Sequence, residues 1–549
     1  MNNQGPLKIA IIQLTRIGDL IQTAQAVRQF KAENPETEIT LIARRKFGKG
    51  ILFFLETVFD DIVLFDTKDF FTKPTLDEVR GNSHKFIFDL NQKKFDVSVN
   101  LSFNKSSSYL NTLINCKLRL GLHRNNFSEI SVNDNWSKYV YSNVLASNNN
   151  PFSLVDIYRY ILGSQDVLTL NEDSTIERKK QIILHPFASD KKKKWGINKW
   201  NELIFKLAKD NPDYSLHIVG GPEDSTEAQR IAHSPALKNL NGKLFIHAGT
   251  TNISGTYQLL MESALFIGHD SLVSHIAAET LTPSIVLSLG TVRPHETTAY
   301  QANVINVSPR NKCFPCQVET RCDSLPCHNS ISHQAISIIA QGVLNKQTID
   351  RQYLKTNINT FQLDTIQVYT SEYQNTGLVL NEISENYLSL EDVFKNFYKI
   401  IWQCYLRDTD INLALPEISE NTAKQLYRYQ DGVNYLYEIY NFGSTFSNKI
   451  IQEAEKSAPN IEVIQENIKK LSELDQLCEI TKRSYPLLSG LIDYFYVHKA
   501  NTPGNNILEI SKNNLLTYYD ASNLAAVLYE FVEKSVSPYL DTAPKNMEV

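Results

Sequence analysis

Residues 7–20 read LKIAIIQLTRIGDL. The first eight, Leu7 to Leu14, are apolar at nearly every position, the pattern of a strand buried on both faces of a sheet. Thr15 to Asp19 make a tight polar turn, and a helical pattern follows as far as Asn34-Pro35. A buried strand that passes through such a turn into a helix is the opening unit of a parallel, doubly wound sheet. Strand patterns at 39–43, 61–65 and 95–101 extend it.

The alternation restarts at 181–186 (QIILHP). A helix at 197–211, a strand at 214–220, a helix at 224–233 and a strand at 243–248 follow; then come a helix at 253–264, a strand at 265–268, a helix at 272–281 and a strand at 284–289. Two such series predict an α/β fold with two Rossmann-like domains facing a cleft, residues 1–165 and 166–343, bordered in the mixed stretch 146–180. Beyond 344 the spacing turns helical, as in 390–406, 422–440, 461–483 and 519–536. No 34-residue or similar repeat recurs there, so a C-terminal all-α extension, 344–549, is expected rather than a solenoid.

A chain of 549 residues exceeds one hydrophobic core, and 42% apolar with 21% charged residues describes an ordinary soluble protein. No apolar run approaches the ~18–20 residues of a bilayer span, and Met1 leads into the first strand without a basic and apolar leader. The expectation is a cytoplasmic protein with no transmembrane segment, or one peripheral at the inner membrane. The net charge of −5 conceals an asymmetry, since 18 basic and 27 acidic residues lie from Leu344 onward, against 37 and 33 before it. The front suits a phosphate-bearing ligand, and the acidic back argues against nucleic acid or an anionic membrane as its partner.

The polar loops lie where the strands end. Arg16, Gly18 and Asp19 occupy the first strand–helix turn, at the carboxyl ends where such sheets bind ligands, although a plain helix cap at Asp19 is the simpler reading of that turn alone. In the second series, His185-Pro186-Phe187-Ala188-Ser189 ends a strand, and Lys191 to Lys194 with Trp195 lead into a helix. Hydroxyl, lysine and helix N-terminus together suit a diphosphate, whereas a solvated lysine run is the bland alternative. Gly220-Gly221-Pro222-Glu223 allows close approach of a ligand and sets a carboxylate for ribose hydroxyls. Gly268-His269-Asp270-Ser271-Leu272-Val273-Ser274-His275 forms a third loop on the same rim. Cys313, Cys316, Cys322 and Cys327 give C-x₂-C-x₅-C-x₄-C, which can wrap one structural zinc or iron ion or stand as a reduced or partly disulfide-bonded loop without metal. Cys116, Cys404 and Cys478 read as buried small hydrophobes, and the stripe Tyr427, Tyr429, Tyr435, Tyr437, Tyr440 reads as helix packing rather than a sugar platform.

The order L-x-R-x-G-D-L, H-P-x-A-S-x₃-K-x-W, G-G-P-E and D-S-x₃-H-x-A-A resembles the heptosyltransferases of glycosyltransferase family 9, over roughly residues 7–340. The resemblance implies a GT-B fold, with the acceptor on the first domain and the nucleotide sugar, an ADP-heptose-type donor, on the second. By position it implies Asp19 as general base, Ser189 and Lys193 as phosphate ligands and Glu223 on the ribose. It puts Asp270, Ser271 and His275 at the donor sugar and diphosphate, in an inverting transfer without a catalytic metal. Cysteine-rich segments, one of them iron-binding, occur in related members. The family usually carries glycine after D-[ST]; here Leu272 stands there, where it would crowd phosphates or lose a positive-φ conformation. The resulting expectation is a heptosyltransferase acting on a surface glycan or a lipopolysaccharide core. Its rivals are a protein O-glycosyltransferase modifying flagellin or an adhesin, and an inactive GT-B scaffold.

Overall fold

The computed structural model describes residues 6–540 except 67, 69–74, 146–148, 166, 168–176, 241, 318 and 409–413. Part of the 146–180 border region therefore lies outside the described residues. The chain divides into two compact units, one of residues 1–130 and 152–386, the other of residues 131–151 and 387–549.

The first unit holds two sheets. In one, β1 (Lys8–Gln13), β2 (Glu38–Arg44), β3 (Asp61–Phe65), β4 (Val97–Asn100) and β5 (Leu118–Gly121) run parallel in the order β3-β2-β1-β4-β5. Ile9 to Ile12 are buried on both faces, as the uninterrupted apolar run requires. α1 (Ile17–Glu33) leaves the end of β1. The second sheet contains β6 (Lys179–His185), β7 (Ser215–Ile218), β8 (Leu244–Ile246), β9 (Ser263–His269), β10 (Ser284–Leu287) and β11 (Ile305–Pro309), all parallel, in the order β8-β7-β6-β9-β10-β11. The GT-B expectation thus holds as architecture: two parallel α/β sheets and a helical C-terminal region.

Two antiparallel strands, β12 (Ile366–Gln374) and β13 (Gly377–Glu382), then extend the second sheet beyond β11. This corrects the border expected at 343/344, which falls at 386/387. The hairpin is anchored by buried charge. Asp156 on the helix Leu154–Leu162 pairs with Arg159 at 2.9 Å, accepts from the Tyr300 hydroxyl at 2.7 Å and from the Leu378 N–H at 2.9 Å. Removing one partner of such a pair typically costs ~3–5 kcal/mol, because the other charge is left buried alone.

The second unit is helical: Leu390–Arg407, Glu420–Ala454, Ile461–Ser484, Ser489–Ala500 and Ile507–Leu540. The segment Asn135–Val144 belongs to it, with Tyr139 against Trp402 (ring centroids 5.5 Å apart) and the Asn143 amide donating to the Gly490 carbonyl. Gly432 sits mid-way along the 35-residue helix Glu420–Ala454. Glycine there costs ~1 kcal/mol relative to alanine. A methyl group at 432 would stand 2.6 Å from the Tyr485 ring, so the glycine lets that ring lie against the helix. No helix among the described residues is long and apolar enough to cross a membrane.

Candidate functional site

Each sheet has one point where the strand order reverses, between β1 and β4 in the first and between β6 and β9 in the second. Loops diverge there at the strand carboxyl ends and leave a crevice. The polar loops singled out in the sequence leave β1, β6, β7 and β9, at or beside these two points.

At the first point the turn is braced from beneath. Ser102 after β4 takes the Leu14 N–H at 2.6 Å, and Gln13 bonds Thr15 and Thr23 side chains at 2.5 and 3.0 Å. Asp19 is the third residue of α1, and its Oδ2 accepts from the Arg16 N–H at 2.9 Å. The capping role is therefore real, but it occupies one oxygen; Oδ1 has no hydrogen bond among the described residues.

At the second point the lysine run divides by role. Lys192 Nζ donates to the Gln317 and Thr320 carbonyls, and Lys194 pairs with Glu227 and lies over the Phe187 ring. The Lys193 side chain has neither hydrogen bond nor ion pair among the described residues, and its charge reaches Asp270 and His275. The loop that carries it is pinned from behind by His269. That buried ring accepts from the Trp195 N–H at 2.9 Å through Nε2, which leaves Nδ1 protonated toward the Phe187 carbonyl at 3.1 Å. Burial pushes His269 down to about 3, so it stays neutral in this role. His328 holds the Lys192 carbonyl at 2.9 Å from the other side.

Asp270 is buried, accepts from the Thr297 hydroxyl, and stands 4.0 Å from His275 Nε2. Burial raises its pKa; His275, Lys193 and Thr297 oppose the rise and Asp19 adds to it. Burial likewise lowers His275, whose Nδ1 has no partner, and the adjacent Ser271 hydroxyl is equally buried and unpaired. Two orphaned polar atoms on one rim are unusual, because each costs ~1–3 kcal/mol of desolvation, and they suit a polar ligand. Leu272 begins the helix Leu272–Glu279 and is half-buried. Its φ is not positive, as expected of leucine where the family carries glycine.

The two points face each other. A methyl group at Gly18 would stand 3.0 Å from His275 Cδ2, Arg16 Nη1 donates to Ser189 Oγ at 3.4 Å, and Arg28 pairs with Glu279 at 3.0 Å. Arg16, Gly18, Asp19, Ser189, Lys193, Asp270 and His275 thus come together. Glu223 lies farther along the rim, exposed after β7, while its neighbour Asp224 caps the turn by accepting the Gly221 N–H at 2.9 Å. Beside it runs the loop after β8, where Gly249 N–H reaches the Gly220 carbonyl at 3.2 Å, a neighbour the sequence reading overlooked.

The cysteine loop packs behind the lysine loop. Cys316 N–H donates to the Gly290 carbonyl at 2.7 Å, and Gly290, at φ +63°, lets the Lys192 carbonyl approach where a side chain would collide. None of the four is in a disulfide, and burial raises Cys316 and Cys327 with smaller contributions from the other cysteines, opposed at Cys327 by a hydrogen bond with the Gly290 backbone. Among the described residues no group of three or more His, Cys, Asp or Glu side chains is arranged to hold a metal ion. The four-thiolate set expected from Cys313, Cys316, Cys322 and Cys327 is not assembled here.

Residues 83–325 match glycosyltransferase family 9 (heptosyltransferase). This region is a glycosyltransferase family 9 domain. It contains the loops of Ser189, Glu223 and Asp270, while Asp19 precedes the matched residues. The chain is 25% identical over 322 residues to lipopolysaccharide heptosyltransferase 1 of Campylobacter coli, covering 56% of this chain and 90% of that protein. It is also similar to E. coli heptosyltransferase WaaC with ADP (14% identity, TM-score 0.45, 61% of this chain and 100% of that one). A family 9 glycosyltransferase from Veillonella parvula gives 16% identity and TM-score 0.47, over 62% and 98%. The match supports a glycosyltransferase activity for this region, of heptosyltransferase type at the level of the family.

Proposed function

We propose that the chain transfers a heptose, with inversion, from an ADP-heptose-type donor to a surface glycan or lipopolysaccharide acceptor. The observation that carries this reading is the position of Asp19 opposite Lys193, Asp270 and His275. The acceptor hydroxyl attacks the anomeric carbon as the bond to the diphosphate oxygen breaks, and its proton passes to Asp19 Oδ1. Lys193, Ser189 and the N-terminus of the helix Leu272–Glu279 take up the charge on the departing diphosphate. Glu223 accepts from ribose hydroxyls, and Asp270, Ser271 and His275 hold the donor sugar and phosphates. The Campylobacter coli relative supports the choice of sugar and acceptor.

Thermal unfolding with ADP-heptose, ADP, UDP and GDP tests the donor. A ligand at a hundredfold excess over its Kd stabilises by ~2.7 kcal/mol, and Lys193→Ala should abolish that gain. Asp19→Asn, which can still cap α1, should keep folding and donor binding and lower turnover ~100-fold or more. Normal turnover in that variant would make Asp19 purely a cap.

A further inference from the structure

The tyrosine stripe of the helical unit does not behave as one packing surface. Tyr440 is fully buried, whereas Tyr427 is 50% exposed. Beside Tyr427 lies an open groove between the helix Glu420–Ala454 and the residues that end the helix Ile461–Ser484. Its floor is aromatic: Tyr429 packs against Phe394 with ring centroids 4.9 Å apart and against Tyr485 at 5.6 Å. Gly432 is what permits the Tyr485 ring to lie there. Along the edge stand Gln425, Arg428 and Asp431, spaced three residues apart and so presented over successive turns, with Ser484 opposite. None of these four side chains makes a hydrogen bond or ion pair among the described residues, although Arg428 and Asp431 are close enough in sequence to pair.

We propose that this groove is a glycan-binding site that takes a pyranose of the acceptor. The proposal rests on the acceptor being a glycan, as in the reading above. Tyrosine faces take the apolar C–H face of a pyranose, while amide, guanidinium, carboxylate and hydroxyl groups exchange hydrogen bonds with its vicinal hydroxyls. The lining excludes other occupants. One cation balanced by one anion gives no attraction for a polyanion, and a lipid surface would select cations around an apolar face. A docked amphipathic helix would require a continuous apolar trough in place of four unengaged polar side chains. The neutral, amphiphilic face of a sugar matches what remains.

Saturation-transfer NMR on the full chain with methyl α-D-mannopyranoside tests the site. Saturation should reach the probe's ring protons in the wild type and fall about fivefold or more in Tyr427→Ala and Arg428→Ala, as loss of one ring face or one charged donor implies. Both residues are exposed, so the variants should fold; circular dichroism checks that they do. Gly432→Ala, which displaces Tyr485, should have the same effect on the probe. In turnover, Tyr427→Ala should raise the KM for a glycan acceptor and leave kcat unchanged. Equal saturation in wild type and variants, no saturation at all, or the same response to glycerol would overturn the proposal. The donor-induced thermal shift separates the two readings. Loss of probe binding with that shift intact rejects only the groove, whereas an absent shift rejects the donor reading.

Discussion

The two crevice-forming points of the first unit are built differently. At the first, one carboxylate serves both fold and proposed chemistry, because Asp19 caps α1 with Oδ2 and offers only Oδ1 to a ligand. At the second, fastening and proposed binding fall to different residues. Asp224 caps the turn and leaves Glu223 exposed; Lys192 and Lys194 are tethered and leave Lys193 unengaged; His269 and His328 pin the loop from behind. Each side chain proposed to meet a ligand there has a neighbour that carries the structural duty.

That contrast can be tested from its largest expected effect downward. His185 and His269 sit at about 4 and about 3 against an ordinary 6.5, both through burial. Their folded pKa values are depressed, so their stabilisation is complete above about pH 6.5 and is lost as pH falls through that value toward 4 and 3. Each contributes up to ~1.4 kcal/mol per pH unit across its window. Denaturant titrations between pH 7 and 4 should show the loss; a flat profile would mean that neither ring is buried neutral. Next, His269→Ala should cost ~3 kcal/mol or more, since it opens a cavity and orphans the Trp195 N–H. Donor-induced stabilisation should weaken with it, which calorimetry with donor would report.

Neighbouring carboxylates should then separate. Asp224→Ala should lose ~1 kcal/mol of stability through its cap with little direct effect on donor affinity. Glu223→Ala should leave stability within ~0.5 kcal/mol and weaken donor binding, as for an exposed residue whose partner is the ligand. The reverse pattern would exchange their roles. The smallest effect is expected at Cys316. The loop is held through its backbone N–H, so Cys316→Ser should move the midpoint by less than ~0.5 kcal/mol. A collapse accompanied by loss of bound zinc or iron, read by elemental analysis, would reinstate a thiolate metal site.

Much of this was legible in the sequence because periodicity and turn chemistry are local. The run 7–14 announces β1, and the helical spacing of 390–406 and 461–483 lies within residues 390–407 and 461–484. The hairpin 366–382 was missed because its strands complete a sheet whose other members lie far back in the chain, and nothing in their own alternation names that partner. The segment 131–151 belongs to the helical unit for a similar reason: its contacts, such as Asn143 with Gly490, span hundreds of residues.

The site divides in the same way. Sequence alone determined which loops carry Arg16, Asp19, Ser189, Lys193, Glu223, Asp270 and His275, since each follows a recognisable strand and begins a helix or turn. It could not rank four consecutive lysines, foresee that Asp224 rather than Glu223 caps its turn, or assign His269 a positioning role. It also could not divide the tyrosine stripe into Tyr440 inside and Tyr427 outside. Those choices depend on which atoms from distant strands and helices arrive within hydrogen-bond reach. Residue type and spacing set what a side chain is able to do, and only the tertiary structure decides which of its partners are already taken.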